Sequence, residues 1–326
     1  MSKPALIYAD NNATTPVAPE VVAAMQPFFG PEFFNPSSMY EPALKVAGAL
    51  KAARKTVAEF LGAAEASEVL FTSCATESNN AAIFGVAAAN PKRKHIVTSA
   101  VEHPAVLEVC REMQRRGHEV TILPVDLQGQ IAMADYVRAL RPDTLLVTLM
   151  HANNETGVVW PVGEWARIAK ETDPGIVFHT DATQTAGKLP LDMQNEFQHV
   201  DLLSFSGHKM HAPKGVGVLY IRRGTPLRPY LLGGHQEAGR RGGTENVPYI
   251  VGLARACELA REHAPDMARI EKLRDGLEAE ILRQVTHVEI NGRGVPRMPN
   301  TLNMACHFIE GESILYELNR RGICAS

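Results

Sequence analysis

Apolar residues in this chain fall into short runs that stop at polar residues, and the runs alternate with stretches of helical spacing. Residues 69–72, 95–99, 120–125, 144–150 and 217–222 read as strands. Residues 77–89, 104–116, 133–140 and 162–171 read as helices between them. Two further strands run through Ile176, Val177 and Phe178 and through Val200, Leu202, Leu203 and Phe205. Continuous apolar runs of this kind belong to strands buried on both faces. The β-α alternation predicts an α/β fold, a mostly parallel sheet covered by helices. After Asn246 the texture changes to α+β and suggests a smaller second domain. A helical region runs over about 248–284, broken near Ala264-Pro265, then short strands at 288–290 and 301–305 and a helix at 312–321.

The polar ends of the apolar runs carry the chemistry. Phe178-His179-Thr180-Asp181-Ala182-Thr183-Gln184 delivers a carboxylate, and Ser204-Phe205-Ser206-Gly207-His208-Lys209 delivers a lysine flanked by serine and histidine. Taken alone, Lys209 reads as a loop lysine and Asp181 as a turn cap. Together they match what pyridoxal phosphate (PLP) needs. The lysine amine forms a Schiff base, and the carboxylate keeps the pyridine nitrogen protonated. A phosphate needs backbone N–H groups and hydroxyls at a helix N-terminus. Phe71-Thr72-Ser73-Cys74-Ala75-Thr76-Glu77-Ser78 offers them, with small residues such as Ala75 for close approach and Thr76 as both helix cap and hydroxyl donor. Ser206 and His208 would form the second side of that cup. His103 follows another strand and could lie flat on a ring and move protons. Asn154 could reach a ring hydroxyl or a substrate carboxylate, and Gln184 a ring oxygen. In an open α/β sheet ligands bind at the carboxyl ends of the strands, so five such ends reinforce one another.

Composition adds exclusions. The chain has 326 residues, 45% hydrophobic and 21% charged, with a formal net charge of −3. That balance favours neither nucleic acid nor an anionic membrane. No signal peptide is recognised, and no window approaches the ~20 apolar residues of a membrane span. Cys74, Cys110, Cys257, Cys306 and Cys324 lack CxxC spacing, which argues against a zinc site or disulfide framework and fits a reducing, cytoplasmic setting.

The motifs, taken in order, resemble a known family. They are Tyr8-Ala9-Asp10-Asn11-Asn12-Ala13-Thr14-Thr15, Asn35-Pro36-Ser37-Ser38, Thr72 to Ser78, Val101-Glu102-His103-Pro104-Ala105-Val106 and Ala152-Asn153-Asn154-Glu155-Thr156-Gly157. Asp181 to Gln184, Ser206 to Lys209, Gly234-His235-Gln236-Glu237 and Arg240-Arg241-Gly242-Gly243-Thr244-Glu245-Asn246 complete the set. The chain resembles the PLP-dependent cysteine desulfurases of the NifS/IscS type, in the fold-type I, class V aminotransferase superfamily, and looks closer to the NifS branch. The resemblance implies a seven-stranded-type sheet. It implies a large domain over 16–256 and a small one from 1–15 plus 257–326. It implies conversion of L-cysteine to L-alanine, with sulfur passing through an enzyme persulfide to an iron–sulfur scaffold protein, including one for nitrogen fixation. Lys209 would carry the cofactor, Asp181 pair with the ring nitrogen and His103 stack and assist proton transfer. Ala75, Thr76, Asn154, Gln184, Ser206 and His208 would bind the cofactor, and Thr244 would reach the phosphate of the other subunit of a homodimer. Selenocysteine lyase, another class V enzyme and a catalytically silent PLP-binding form are the alternatives. Family members place a catalytic cysteine on a loop that begins where this chain ends, at Gly322-Ile323-Cys324-Ala325-Ser326. The expectation is a chain truncated at its C-terminus relative to the family. The nucleophile and a substrate-binding arginine are then expected beyond residue 326, and Cys324 is not expected to replace the nucleophile.

Overall fold

The computed structural model describes residues 6–326. The chain opens with β1 (Ile7–Tyr8), α1 (Pro19–Met25) and α2 (Glu41–Phe60). A β-α series follows: β2 (Val69–Thr72), α3 (Ala75–Ala89), β3 (His95–Ser99), α4 (Pro104–Arg115), β4 (Glu119–Leu123), α5 (Met133–Ala139), β5 (Thr144–Thr148), α6 (Val162–Thr172), β6 (Val177–Asp181), β7 (Leu202–Ser206) and β8 (Gly217–Ile221). The C-terminal part holds α7 (Val247–Glu262), α8 (Asp266–Gln284), β9 (Val288–Ile290), β10 (Met304–Cys306), α9 (Gly311–Arg320) and β11 (Ile323–Cys324).

Seven strands form one sheet in the order β2-β8-β7-β6-β5-β3-β4. Only β8 runs against the others, pairing antiparallel with β2 and β7. The mostly parallel α/β fold expected from the alternation is therefore borne out. The strands send alternate side chains to opposite faces, as the pleat requires. Leu70, Ile96, Leu146, Val177, Leu202 and Leu219 pack against Ile83 and Val86 of α3 and Val109 and Met113 of α4. Their neighbours Phe71, Val97, Val147, Phe178, Leu203 and Val218 face the second cluster, with Leu50 and Val57 of α2, Trp165 of α6 and Leu253 of α7. Burial on both faces explains why the strands read as continuous apolar runs.

The smaller elements stand apart from that sheet. β1 pairs parallel with β11, and β9 antiparallel with β10. The expected strand at 301–305 begins later, at Met304, because the preceding segment is used elsewhere. Met298 N donates to the Gly157 carbonyl at 2.7 Å, and the side chains of Asn300 and Thr301 bond Asn12. Helices α1 and α2 were not read from the pattern. Among the described residues no helix is long and apolar enough to cross a membrane.

An edge strand exposes unpaired backbone groups, and β2 lies at one edge of the sheet. Here an ion pair takes the place of a neighbouring strand. Arg54 of α2 donates to the Val69 carbonyl at 2.8 Å, and the Glu237 carboxylate accepts Phe71 N at 3.2 Å. The two side chains meet in a double hydrogen bond at 2.6 and 2.7 Å, with Glu237 nearly fully buried. Glu237 and Ala238 both adopt positive φ, 50° and 56°, a strained backbone for residues with a Cβ. Glu237→Ala should therefore destabilise by about 3–5 kcal/mol, the cost of leaving one member of a buried pair alone. It should appear as a lower urea midpoint at unchanged slope, and an unaltered midpoint would contradict this role.

Candidate active site

Parallel strands put all their carboxyl ends on one edge. There β6 ends in Asp181, and β7 ends in Ser206 before a single turn, Gly207–Lys209. Asp181 is buried, and each carboxylate oxygen accepts one neutral donor: Asn79 Nδ2 at 2.7 Å and Thr183 N at 2.9 Å. Lys209 Nζ donates to the carbonyls of Asn12 and Ala13, the latter at 2.8 Å. Burial pulls the Lys209 ammonium below its ordinary pKa, while the negative charges of Asp10 and Asp181 oppose the shift. The His208 ring meets Thr14 Oγ1 at 3.1 Å. Burial, with the charges of Lys209, Lys214 and Lys188, holds its pKa down at about 4, so it is neutral near pH 7.

The other end of the site is built for an anion. Helix α3 starts at Ala75, earlier than the pattern suggested, and Cys74 at its N-cap offers no side-chain cap. Thr76 does not cap the helix, because it lies inside the first turn. The first amides of a helix have no intrahelical acceptor, so those of Ala75, Thr76 and Glu77 are free to bind a ligand. The acidic side chain of Glu77 is drawn aside to Ser73 N at 2.8 Å and to Arg241 at 2.9 Å. Across the cup, the hydroxyl of Ser206 is buried without a partner among the described residues, as are Asn79 Oδ1 and Thr183 Oγ1. Unpaired buried polar atoms are costly, and three of them at one edge suit a polar ligand. Gly217 pairs with Thr72 on one side and Ser206 on the other. A Cβ there would stand 2.7 Å from the Cys74 backbone, so only glycine lets the β2–α3 turn close against the sheet.

The remaining candidates differ in their surroundings. His103 is exposed at the start of α4, where its Nδ1 accepts Ala105 N at 3.1 Å. In the neutral ring this places the proton on Nε2. Asn154 is half-buried and makes no side-chain hydrogen bond among the described residues, unlike Asn153, whose amide organises its own turn. Gln184 is buried and donates to the Asn12 carbonyl at 3.1 Å. Thr244 is exposed in a loop tied to α3 through Arg241 and Glu77, with no bond of its own to the strand-end residues. Cys324 lies in β11, opposite Tyr8.

Three contributors escaped the sequence reading. Asn79 falls on the buried stripe of α3 with Ala75, Ala82, Ile83 and Val86, and a polar residue on such a stripe is a usable signal. Asn12 lies in the first motif, yet its part, a carbonyl receiving both Lys209 and Gln184, leaves no trace in residue type. Gly217 depends on a contact that no local pattern reveals. The set can hold an anion at the α3 terminus, a cation against Asp181 and an electrophile near the Lys209 amine, whose pKa burial lowers. Those are the needs of PLP.

Comparison with known proteins agrees with this fold. Cysteine desulfurase 2 of Trichormus variabilis is 51% identical over 98% of this chain and 79% of its own length. The cysteine desulfurase NifS of Azotobacter vinelandii is 51% identical over the same shares. A solved NifS-like protein superposes with a TM-score of 0.93 at 40% identity, covering 98% of this chain and 87% of its own. SspA in complex with cysteine gives 0.85 at 37% identity, over 98% and 88%. The likeness to NifS-type proteins read from the motifs is thus borne out along nearly the whole sequence. The aminotransferase class-V family model matches residues 7–326, and the chain belongs to that family.

Proposed function

We propose that this protein is a PLP-dependent cysteine desulfurase, converting L-cysteine to L-alanine and passing the sulfur through an enzyme persulfide to an iron–sulfur scaffold protein. Nitrogenase cluster assembly is the candidate end use. The observation that carries the reading is the Asp181–Lys209 pair at a shared sheet edge, facing the open N-terminus of α3. The half-identical relatives named cysteine desulfurase support the substrate. When bound, PLP supplies an electron-withdrawing ring that eases removal of the substrate's Cα proton.

The residues divide that work. Ala75 and Thr76, with Ser206 and His208, would hold the phosphate; a neutral His208 can share a hydrogen bond there. Asp181, buried with only neutral donors, gains most from a cation beside it and so keeps a proton on the ring nitrogen. Lys209 would hold the cofactor's aldehyde, since burial favours its free amine, and that amine would serve to move the substrate's Cα proton. His103 would stack on the ring and present its Nε2 hydrogen, Gln184 would contact the ring oxygen, and the amide of Asn154 suits a substrate carboxylate. Thr244 completes the phosphate site of the partner in a cytoplasmic homodimer. Residues 16–256 form the large domain, and 1–15 with 257–326 the small one.

The sulfur acceptor within the enzyme must be an accessible thiolate. Cys110 and Cys257 are buried, and burial pushes the Cys110 thiol up to about 12 and that of Cys257 up as well. Cys324 is held in β11, with its carbonyl accepting Ala9 N at 2.8 Å, and so lacks the mobility that sulfur delivery requires.

Reconstituted with PLP, the protein should be yellow, and borohydride should bleach it while fixing the cofactor on Lys209. Peptide mapping of the adduct to another lysine would remove the assignment. After incubation with L-cysteine, persulfide mapping should find no sulfur on Cys324; label there would make it the nucleophile. Sedimentation at micromolar concentration should show a dimer, with Thr244→Ala weakening PLP binding. A monomer retaining full cofactor occupancy would exclude shared sites.

A further inference from the structure

The turn that carries His103 is fastened to the turn that carries Asn154 by two side chains, each one residue earlier in the chain. Glu102 Oε1 accepts Ser99 Oγ at 2.8 Å within its own turn and Met150 N at 3.0 Å just past β5. Asn153 Nδ2 returns the link, donating to the Val101 carbonyl at 3.1 Å. The same amide's oxygen accepts Glu155 N at 3.0 Å and Thr156 N at 2.9 Å, which shapes the loop holding Asn154. The two turns thus meet at Val101 and Glu102 on one side and Met150 and Asn153 on the other.

Glu102 is an unusual member of such a clip. It is 4% exposed and forms no ion pair among the described residues. Both its donors converge on Oε1, and Oε2 is buried without a partner among the described residues. An ionised carboxylate would spread its acceptors over both oxygens and call for a cation; a protonated acid has one carbonyl oxygen to accept and one hydroxyl. The titratable groups facing it are Asp181 from β6 and Cys110 from α4, and neither offers compensating positive charge. β3 presents the Ser99 hydroxyl, and the chain after β5 presents the Met150 amide.

We propose that Glu102 is a positioning residue that, through its bonds to Ser99 and Met150 and alongside the Asn153–Val101 bond, sets His103 against Asn154. The proposal rests on the roles given above to His103 and Asn154. Burial raises the carboxyl from its ordinary 4.5 to about 8, with the charge of Asp181 adding to the shift against its two hydrogen bonds. The working range of the clip therefore ends in mildly alkaline solution.

The test, run in a full-length context that carries the nucleophile, compares the parent holoenzyme with Glu102→Gln, Glu102→Ala and His103→Ala, and follows apo-protein stability against pH. Glutamine keeps a carbonyl at Oε1 and cannot ionise. Glu102→Gln should retain kcat near neutrality and lose the alkaline fall in rate near the titration of Glu102. Glu102→Ala should lower kcat about 10–100-fold, as loss of a partner that orients a site residue does. In the apo-protein the native state holds a proton that the unfolded chain releases, so parent stability should fall as pH rises from 4.5 to about 8. Glu102→Gln lacks that titration, so its melting temperature should gain on the parent's across the same window. Equal stability slopes, or a Glu102→Gln enzyme as impaired as Glu102→Ala, would overturn the proposal, and the slope decides even where Glu102→Ala folds poorly. The proposed role of His103 predicts a ~10²- to 10⁴-fold loss in His103→Ala. Full activity in that variant would refute that role while the slope still reports the state of Glu102.

Discussion

A buried carboxylate at the end of β6 organises the site. Asp181 has two neutral donors and no ion pair among the described residues, so the fold bears the cost of a charge that only a bound cation offsets fully. Everything around it keeps the position available. Asn79 comes from the buried stripe of α3, which packs there because the sheet face is apolar from Leu70 to Leu219. The Thr183 amide comes from the turn that ends the strand. A carboxylate satisfied by arginine would be more comfortable and chemically useless to a ring nitrogen.

The second constraint is closure across sequence distance. The segment around Asn12 and Thr15 lies over the turn that carries Lys209. The Asn12 carbonyl receives Lys209 and Gln184, while the Thr15 amide donates to the His208 carbonyl at 2.9 Å. The Asn12 side chain meets Asn300 and Thr301. Residues from the start, middle and late part of the chain thus share one polar junction. The same junction moves the expected late strand to Met304, since its first residues serve the site and not the hairpin.

Much of this was legible in the residues. Apolar runs ending in polar groups located five strand ends, because a sheet buried on both faces leaves its carboxyl edge as the place where polar residues can reach a ligand. The α/β alternation was equally plain. Helix α2 escaped although Val46, Leu50, Ala53 and Val57 lie on one stripe; its many alanines blur the contrast between faces. Asn79, Gly217 and the bonds of Glu102 to Met150 and of Asn153 to Val101 escaped for another reason. Each acts through an atom supplied by a different strand or turn, and local pattern contains no record of that atom.

By itself, then, the sequence determined which segments are strands, which edge gathers the polar strand ends and which family the chain joins, because those depend on periodicity and on side chains adjacent in the chain. Only the tertiary structure decided the reversed direction of β8, the ion pair that closes the edge of β2, and the environments that lower the pKa of Lys209, raise that of Glu102 and leave Asp181 bonded to neutral donors. Those properties arise from burial and from distances between residues far apart in sequence, and only a folded chain fixes either.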